Sequence, residues 1–166
     1  MSAWFREHGF DEVADALLVG ALPQDAADVA ALAAAGVTRV LNLVEDVEYR
    51  DGGRETCEAA YADAGIEERR VPLVDFGNLA ADRLTEAVAV LRTWQDEGQR
   101  IYVHCRAGRQ RSAAVVAAAL ALRDGSSLLE ALERVRRRRS VADPLDHQRA
   151  DLAAWWVGRR RDADPA

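Results

Sequence analysis

One stretch, residues 101–112, constrains the fold of this chain more than any other. It begins with an apolar, β-type run, continues through a polar loop that starts at Cys105, and ends at Ser112, where an alanine- and valine-rich helical pattern begins. A strand, a tight loop and a helix N-terminus are therefore predicted in succession. Unpaired backbone N–H groups and the positive end of the helix dipole meet in such a loop, so it suits an anion such as phosphate.

Cys105 stands at the mouth of this predicted anion loop, and Arg111 closes it. Both the helix start and the guanidinium favour the thiolate, and in comparable settings a cysteine pKa falls from about 8.5 to about 3.5–7.5. The planar fork of Arg111 suits two phosphoryl oxygens. Gly108 permits the close turn, and the Ser112 hydroxyl is placed to stabilise the thiolate when it leaves. These residues predict a nucleophilic cysteine that acts on a phosphate group.

The pattern His104-Cys105-x-x-Gly108-x-x-Arg111-Ser112 resembles the signature loop of the cysteine-dependent phosphatases, in their dual-specificity branch. The resemblance implies hydrolysis of a phosphate monoester through a phosphocysteine intermediate. His104 is expected to support the loop by hydrogen-bonding its backbone. No metal or other cofactor is expected, since no His, Cys or Asp cluster has metal-ligand spacing. The resemblance implies that the loop binds the substrate phosphate through Arg106, Ala107, Gly108, Arg109 and Gln110.

Asp75 is the candidate for the acid that protonates the leaving oxygen. It follows the β-type run 71–74 and lies in a glycine-containing loop, the place that the acid aspartate occupies in the family resembled. The same carboxylate would then activate water against the phosphocysteine. A solvated turn or helix-capping aspartate is the alternative for this position. Gln148 is predicted, from the resemblance alone, to position the hydrolytic water.

The substrate stays open at this stage. Phosphorylated tyrosine, serine or threonine in a protein is the main prediction. The alternative is a phospholipid headgroup or inositol phosphate such as phosphatidylglycerophosphate, because the loop and residues 18–23 and 42–45 also resemble the phosphatidylglycerophosphate phosphatase-like branch. Arg106 and Arg109 add charge that suits such a substrate, although plain solvent exposure at a loop rim explains them equally well. A silent phosphate-binding module, a sulfurtransferase and an arsenate reductase are the competing classes.

Strand and helical patterns alternate along the chain, which predicts an α/β fold with a central, mostly parallel sheet and helices on both faces, as in the dual-specificity phosphatases. With 166 residues, 49% of them hydrophobic, a single phosphatase domain over residues 1–166 is expected. Residues 1–15 are predicted to be an irregular or helical lead-in and residues 159–166 a polar tail. The β-type runs cover residues 16–20, 37–44, 66–74 and 100–104.

Composition excludes several partners and surroundings. A net charge of −6 argues against nucleic-acid binding through a basic surface. Most of the arginine run 134–139 is expected to be a solvated face at a helix end, with guidance of an anionic substrate as the alternative. No run approaches the ~18 apolar residues of a membrane span, and the N-terminus lacks a secretory signal pattern, so no integral membrane segment is expected. Cys57 and Cys105 form no disulfide framework, which favours the cytoplasm. Cys57 is expected to be a small helix residue rather than a redox partner, and the oligomeric state is left open.

Overall fold

The computed structural model describes residues 1–50 and 52–163, with side chains as far as residue 159; Asp51 and the end of the predicted polar tail, residues 164–166, lie outside the described residues. Within the described part, five strands form one sheet in the order β1-β2-β5-β3-β4. Neighbouring strands run parallel except for the antiparallel pair β1 and β2, so the predicted mostly parallel sheet is confirmed. The strands are β1 (Phe10–Ala14), β2 (Leu17–Gly20), β3 (Arg39–Asn42), β4 (Glu67–Arg70) and β5 (Ile101–His104).

Helices alternate with the parallel strands, as the sequence pattern predicts. Side chains cap two of the helix starts: the Asp25 carboxylate accepts from the Asp28 N–H at 2.8 Å, and Ser127 and Glu130 form a capping box. A 3₁₀ turn, Asp46–Glu48, lies in the charged loop after β3. The helices are α1 (Ala3–His8), α2 (Ala26–Ala34), α3 (Gly53–Asp63), α4 (Ala81–Asp96), α5 (Arg111–Asp124), α6 (Leu128–Arg138) and α7 (Asp146–Ala163).

The prediction for residues 1–15 was wrong in one respect, because this segment contains an edge strand, β1, as well as the helix α1. In β1 only Val13 is buried, and the charged side chains beside it face solvent, so little apolar alternation marks the strand. The tight turn into β2 places Ala16 at a φ of +55°. The turn contains no glycine or asparagine, so the sequence gives no local signal for this hairpin.

The sheet separates two layers of core. Side chains of successive strand residues point to opposite faces. Leu17 and Val19 of β2 pack with residues of α4, α5, α6 and α7, whereas Leu18 packs with residues of α1, α2 and α3. Central strand β5 divides in the same way, with Val103 on the first face and Tyr102 on the second. Both faces of the sheet are therefore covered by helices.

The parallel strands end together at one edge of the sheet. Gly20, Asn42 and His104, which close β2, β3 and β5, lie side by side in register. Arg70, which closes β4, lies next to Asn42. The loops that follow these strands meet at this carboxyl edge, the position where such sheets place ligands.

Candidate active site

The loop between β5 and α5 carries the predicted nucleophile at its start. Gly108, within it, has a φ of +64°. A Cβ atom at that position would lie 2.5 Å from the carbonyl oxygen of Gly20, so the loop packs directly against the backbone of β2. The Leu22 N–H adds a hydrogen bond to the Arg106 oxygen at 2.9 Å. Only glycine combines this backbone conformation with this close approach.

Cys105 is buried at the base of the loop, with its Sγ 3.3 Å from the Oγ of Ser112. Burial by itself raises the pKa of the Cys105 thiol. The Arg111 guanidinium, the hydroxyl and N–H of Ser112 and the N–H of Arg109 act against burial, and together they lower the pKa below its ordinary value. The thiolate is therefore favoured, as the loop pattern predicts.

The side chain of Arg111 is buried under the loop, with 1% of its surface exposed. Its two terminal nitrogens donate to the two oxygens of Glu48 at 2.7 and 2.8 Å, and Nη1 also donates to the Leu73 carbonyl at 2.8 Å. Nη2 lies 2.8 Å from Oδ1 of Asp75. The remaining nitrogen, Nε, is buried and has no hydrogen-bond partner among the described residues. A donor is thus left for an added acceptor.

Glu48 contacts the site and was not predicted from the sequence. It lies at the end of the 3₁₀ turn, where its Oε1 also accepts from the N–H of Glu45 at 2.9 Å. Only 5% of its side chain is exposed, since the ion pair with Arg111 buries it. The Glu45–Glu48 capping spacing was its one local signal. That signal does not distinguish it from other acidic residues of the same charged loop.

Asp75 reaches the site from the extended segment that continues β4. The Leu73 N–H bonds the Leu43 oxygen at 3.0 Å, which holds this segment beside the end of β3. The Asp75 carboxylate meets Arg111 and keeps 26% of its side-chain surface exposed, so solvent and substrate can reach it. Phe76 follows with a φ of +54°, and its ring is exposed. The structure therefore brings Asp75, Arg111 and Cys105 to one cleft.

Gln148 lies outside that cleft in this structure. Its buried amide donates to the Gly77 oxygen at 3.0 Å and accepts from the Leu145 N–H at 3.1 Å. These bonds attach the loop after Asp75 to the start of α7. A role in positioning water, which would require the amide to face the cleft, stays a prediction for Gln148.

His104 is fully buried behind the nucleophile. Its Nδ1 lies 3.3 Å from the Cys105 carbonyl oxygen, and its ring stacks on Tyr102 with the centroids 5.6 Å apart. Burial lowers the pKa of His104 to about 3. The hydrogen bond to Cys105 raises this pKa by less than burial lowers it, and the positive charge of Arg111 lowers it further. The imidazole is neutral near pH 7, and its contact with the loop backbone is the one that the sequence predicts.

A cleft of about 480 Å³ opens above Cys105. Four of the five predicted binding residues line it, and Gly108 instead packs beneath the loop. Trp4 of α1 also lines the cleft. Its indole N–H donates to the Arg106 oxygen at 3.1 Å, and the Arg106 guanidinium lies 5.3 Å from the centre of its ring. The lining consists of Trp4, His8, Asp75, Phe76, Cys105, Arg106, Ala107, Arg109, Gln110 and Arg111.

The second cysteine, Cys57, lies in α3 away from the cleft. Its thiol is buried and donates to the Pro23 oxygen at 3.2 Å, and burial raises its pKa to about 12. Within the described residues, no three or more His, Cys, Asp and Glu side chains are grouped to hold a metal ion. The helices of the same part of the chain include none with the length and apolar character to cross a bilayer.

Comparison with known proteins assigns the family. The model of the dual specificity phosphatase catalytic domain matches residues 21–156. The chain belongs to the dual specificity phosphatase family. It is 33% identical to mouse dual specificity phosphatase 28 over 138 residues, which cover 81% of this chain and 76% of that protein. It is 34% identical to human phosphatidylglycerophosphatase and protein-tyrosine phosphatase 1 over 105 residues, 63% of this chain.

Solved structures of dual specificity phosphatases share the fold over nearly their whole length. The crystal structure of PTPMT1 in complex with PI(5)P superposes with a TM-score of 0.81 at 29% identity, covering 93% of this chain and 99% of that one. The crystal structure of human DUSP28 superposes with a TM-score of 0.74 at 27% identity, covering 92% of this chain and 99% of that one. In the sequence comparison, the aligned segment covers only 51% of human phosphatidylglycerophosphatase and protein-tyrosine phosphatase 1, and 64% of the rat protein.

Proposed function

We propose that this protein hydrolyses phosphate monoesters through a phosphocysteine intermediate on Cys105. The observation that carries the proposal is the convergence of donors on one point of the cleft. The N–H groups of Arg109 and Ser112 lie against the Cys105 sulfur, and the Nε of Arg111, buried beside them, has no hydrogen-bond partner among the described residues. Donors fixed in advance around a nucleophile stabilise the charge that develops on a transferring phosphoryl group.

The first step transfers the phosphoryl group to sulfur. The Cys105 thiolate attacks phosphorus, the S–P bond forms, and the P–O bond to the leaving group breaks with its electron pair on oxygen. Protonated Asp75 donates its proton to that oxygen, so the alcohol or phenol departs neutral. Since Asp75 contacts Nη2 of Arg111 in this structure, phosphoryl oxygens that take the arginine's donors would release the carboxyl for this task.

The second step returns the enzyme to its starting state. The Asp75 carboxylate takes a proton from water, the water oxygen attacks phosphorus, and the S–P bond breaks with its electron pair on sulfur. Ser112, 3.3 Å from that sulfur, stabilises the departing thiolate by hydrogen bonding. Inorganic phosphate then leaves the loop. One carboxyl group serves as acid and then as base.

Phosphoprotein is the substrate class that we favour. Trp4 and Phe76 place two aromatic side chains around the mouth of the cleft, which suits the ring of a phosphotyrosine. A phospholipid headgroup or inositol phosphate is the second candidate, supported by the exposed Arg106 and Arg109 on the loop and by the likeness to PTPMT1 crystallised with PI(5)P. A cytoplasmic location is proposed with either substrate, because a thiolate nucleophile requires reducing surroundings.

The deciding experiment measures phosphate release from an aryl phosphate, with reductant and chelator, by the intact protein and by Cys105→Ser. We expect turnover by the first and none by the second, while the variant still binds orthovanadate or phosphate. Metal-free turnover that survives Cys105→Ser would refute the mechanism. Binding without turnover by folded wild-type protein would identify a silent phosphate-binding module instead.

Asp75→Asn tests the acid with two leaving groups. A phenoxide leaves more readily than an alkoxide, so losing the acid is expected to slow an alkyl phosphate more than an aryl phosphate. The ratio of kcat/KM for the two substrates, measured in wild type and variant, reports this difference. Equal losses for both leaving groups would exclude Asp75 as the proton donor. A panel of phosphopeptides, phosphoinositides and phosphatidylglycerophosphate then separates the two substrate classes.

A further inference from the structure

Arg139, the last residue of the arginine run, is buried against the phosphate loop and is not part of a solvated helix end. Only 2% of its surface is exposed. Its Nε donates to the Gly108 oxygen at 2.7 Å, and its Nη2 donates to the Ala107 oxygen at 2.9 Å. Nη2 also donates to the His8 oxygen at 3.0 Å, and Nη1 pairs with the Asp11 carboxylate at 2.8 Å. One guanidinium thus joins the loop to α1 and β1.

These contacts determine which way two peptide groups of the loop face. In a trans peptide the C=O and the following N–H point in opposite directions. Because Arg139 binds the Ala107 oxygen, the Gly108 N–H points away from Arg139. Because Arg139 also binds the Gly108 oxygen, the Arg109 N–H points away from it too. Of these two N–H groups, that of Arg109 lies against the Cys105 sulfur, as the N–H of Ser112 also does.

We propose that Arg139 is a positioning residue that keeps these two peptide groups turned with their N–H bonds toward the substrate phosphate, a role that rests on the proposed function. The loop needs such a restraint because Gly108 has little intrinsic preference between the backbone conformations that would rotate its peptide groups. A rotated peptide would aim a carbonyl oxygen at the thiolate and at the bound dianion. Two charge-assisted hydrogen bonds from one rigid fork oppose that rotation.

Arginine suits this position for a geometric reason. The guanidinium offers five N–H donors in a plane, and four acceptors surround it here. A lysine ammonium carries the same charge on a single nitrogen and has three donors, so it cannot reach acceptors spread around the edge of a guanidinium plane. The Asp11 carboxylate balances the buried charge from its more exposed side.

The test compares Arg139→Met with Arg138→Met. Both remove one positive charge from adjacent positions, but Arg138 is exposed and lies beside Glu12, away from the loop. For Arg139→Met we expect kcat/KM for an aryl phosphate to fall about 10–100-fold, mainly through KM, since misplaced donors weaken phosphate binding. Arg138→Met is expected to match wild type.

The pH dependence of Cys105 alkylation by iodoacetamide supplies a readout independent of turnover. The pH of half-maximal rate is expected to rise in Arg139→Met, because the Arg109 N–H no longer faces the sulfur, and to stay at the wild-type value in Arg138→Met. Cys57 is silent in this assay because its buried thiol has a pKa raised to about 12, and Cys105→Ser provides the blank.

A purely structural role gives a different result. If Arg139→Met only unfolds part of the protein, thermal unfolding shows a lower Tm, while KM and the alkylation midpoint of the folded fraction are unchanged, and the proposal is wrong. Arg139→Lys retains the charge and guards against gross misfolding, and it is expected to share the raised midpoint. Because alkylation needs no substrate, this result stands apart from the test of the proposed function: inactive wild-type protein would overturn that function alone.

Discussion

At the scale of single residues, the site depends on one arginine whose donors are divided among protein partners and the proposed substrate. Arg111 has Glu48, Asp75 and a backbone carbonyl on its terminal nitrogens, and its Nε is buried without a partner in the described part of the chain. A guanidinium held at one end presents its other edge in a fixed direction. We therefore expect Glu48 to fix the direction in which Arg111 faces a bound phosphate.

Glu48→Gln tests that orientation. The amide has one acceptor oxygen and one NH₂ group, so one of the two Arg111 hydrogen bonds would be replaced by a clash between donors. A hydrogen bond to a charged group contributes about 1.5–3 kcal/mol, and we expect kcat/KM to fall about 10–100-fold. Steady-state kinetics of Glu48→Gln are compared with those of Asp46→Asn, which alters an exposed carboxylate in the same turn. Equal activity of the two variants would show that Glu48 does not orient Arg111.

The site residues that the sequence predicts are those of the loop itself, together with Asp75, which follows a β-type run at the place that the acid aspartate occupies in the family resembled. Cys105, Arg111 and Ser112 belong to one loop, where spacing alone carries the geometry. Glu48 and Arg139 reach that loop from distant segments, and their roles arise only when β3 and α6 pack beside it. An acidic residue in a charged loop and an arginine in an arginine run have no local pattern that distinguishes them from solvated neighbours.

At the scale of elements, the phosphate loop leads directly into helix α5 and packs against the backbone of β2 at Gly20. α5 is buried from Arg111 to Ala121, so the helix cannot shift to relieve strain in the loop before it. Strands β2, β3 and β5 were predictable because they lie in apolar runs bounded by turn residues, whereas β4 is charged and was predicted together with the apolar residues that follow it. Strand β1 was not predictable, since Val13 is its one buried residue and the strand is held in the sheet by pairing with β2.

Gly108→Ala tests the close contact between the loop and β2. The positive φ costs an alanine about 1–2 kcal/mol, and a Cβ placed 2.5 Å from the Gly20 oxygen forces a further displacement that costs about 1–3 kcal/mol. We expect loss of phosphate binding as well as of stability. Gly125→Ala is the matched control, because Gly125 has a φ of +67° at the end of α5 and open space around it.

Urea unfolding and orthovanadate binding are measured for both glycine variants. The free energy of unfolding of Gly125→Ala should fall only by the cost of the positive φ, and this variant should bind orthovanadate like wild type. If Gly108→Ala also bound like wild type, the loop would not need its contact with Gly20. The comparison separates the strain of a positive φ from the effect of steric contact.

At the scale of the whole molecule, the carboxyl edge of the sheet places a buried neutral histidine directly behind the nucleophile. His104 has no exposed surface, and the folded protein lowers its pKa to about 3 from the ordinary value of about 6.5. Between these values the unfolded chain binds a proton that the folded protein does not. Folding therefore loses stability as the pH falls through this window, and the contribution of neutral His104 is complete above about pH 6.5.

His104→Gln removes the titrating group and should make the protein less sensitive to acid. The free energy of unfolding of wild type relative to the variant is expected to fall by up to about 1.4 kcal/mol per pH unit below pH 6.5, the slope for one proton. Urea unfolding at pH 7, 6, 5 and 4 measures this difference. If the free energies of unfolding of wild type and His104→Gln differed by the same amount at every pH, folding would not keep His104 neutral. Protonation of His104 would then not contribute to acid unfolding.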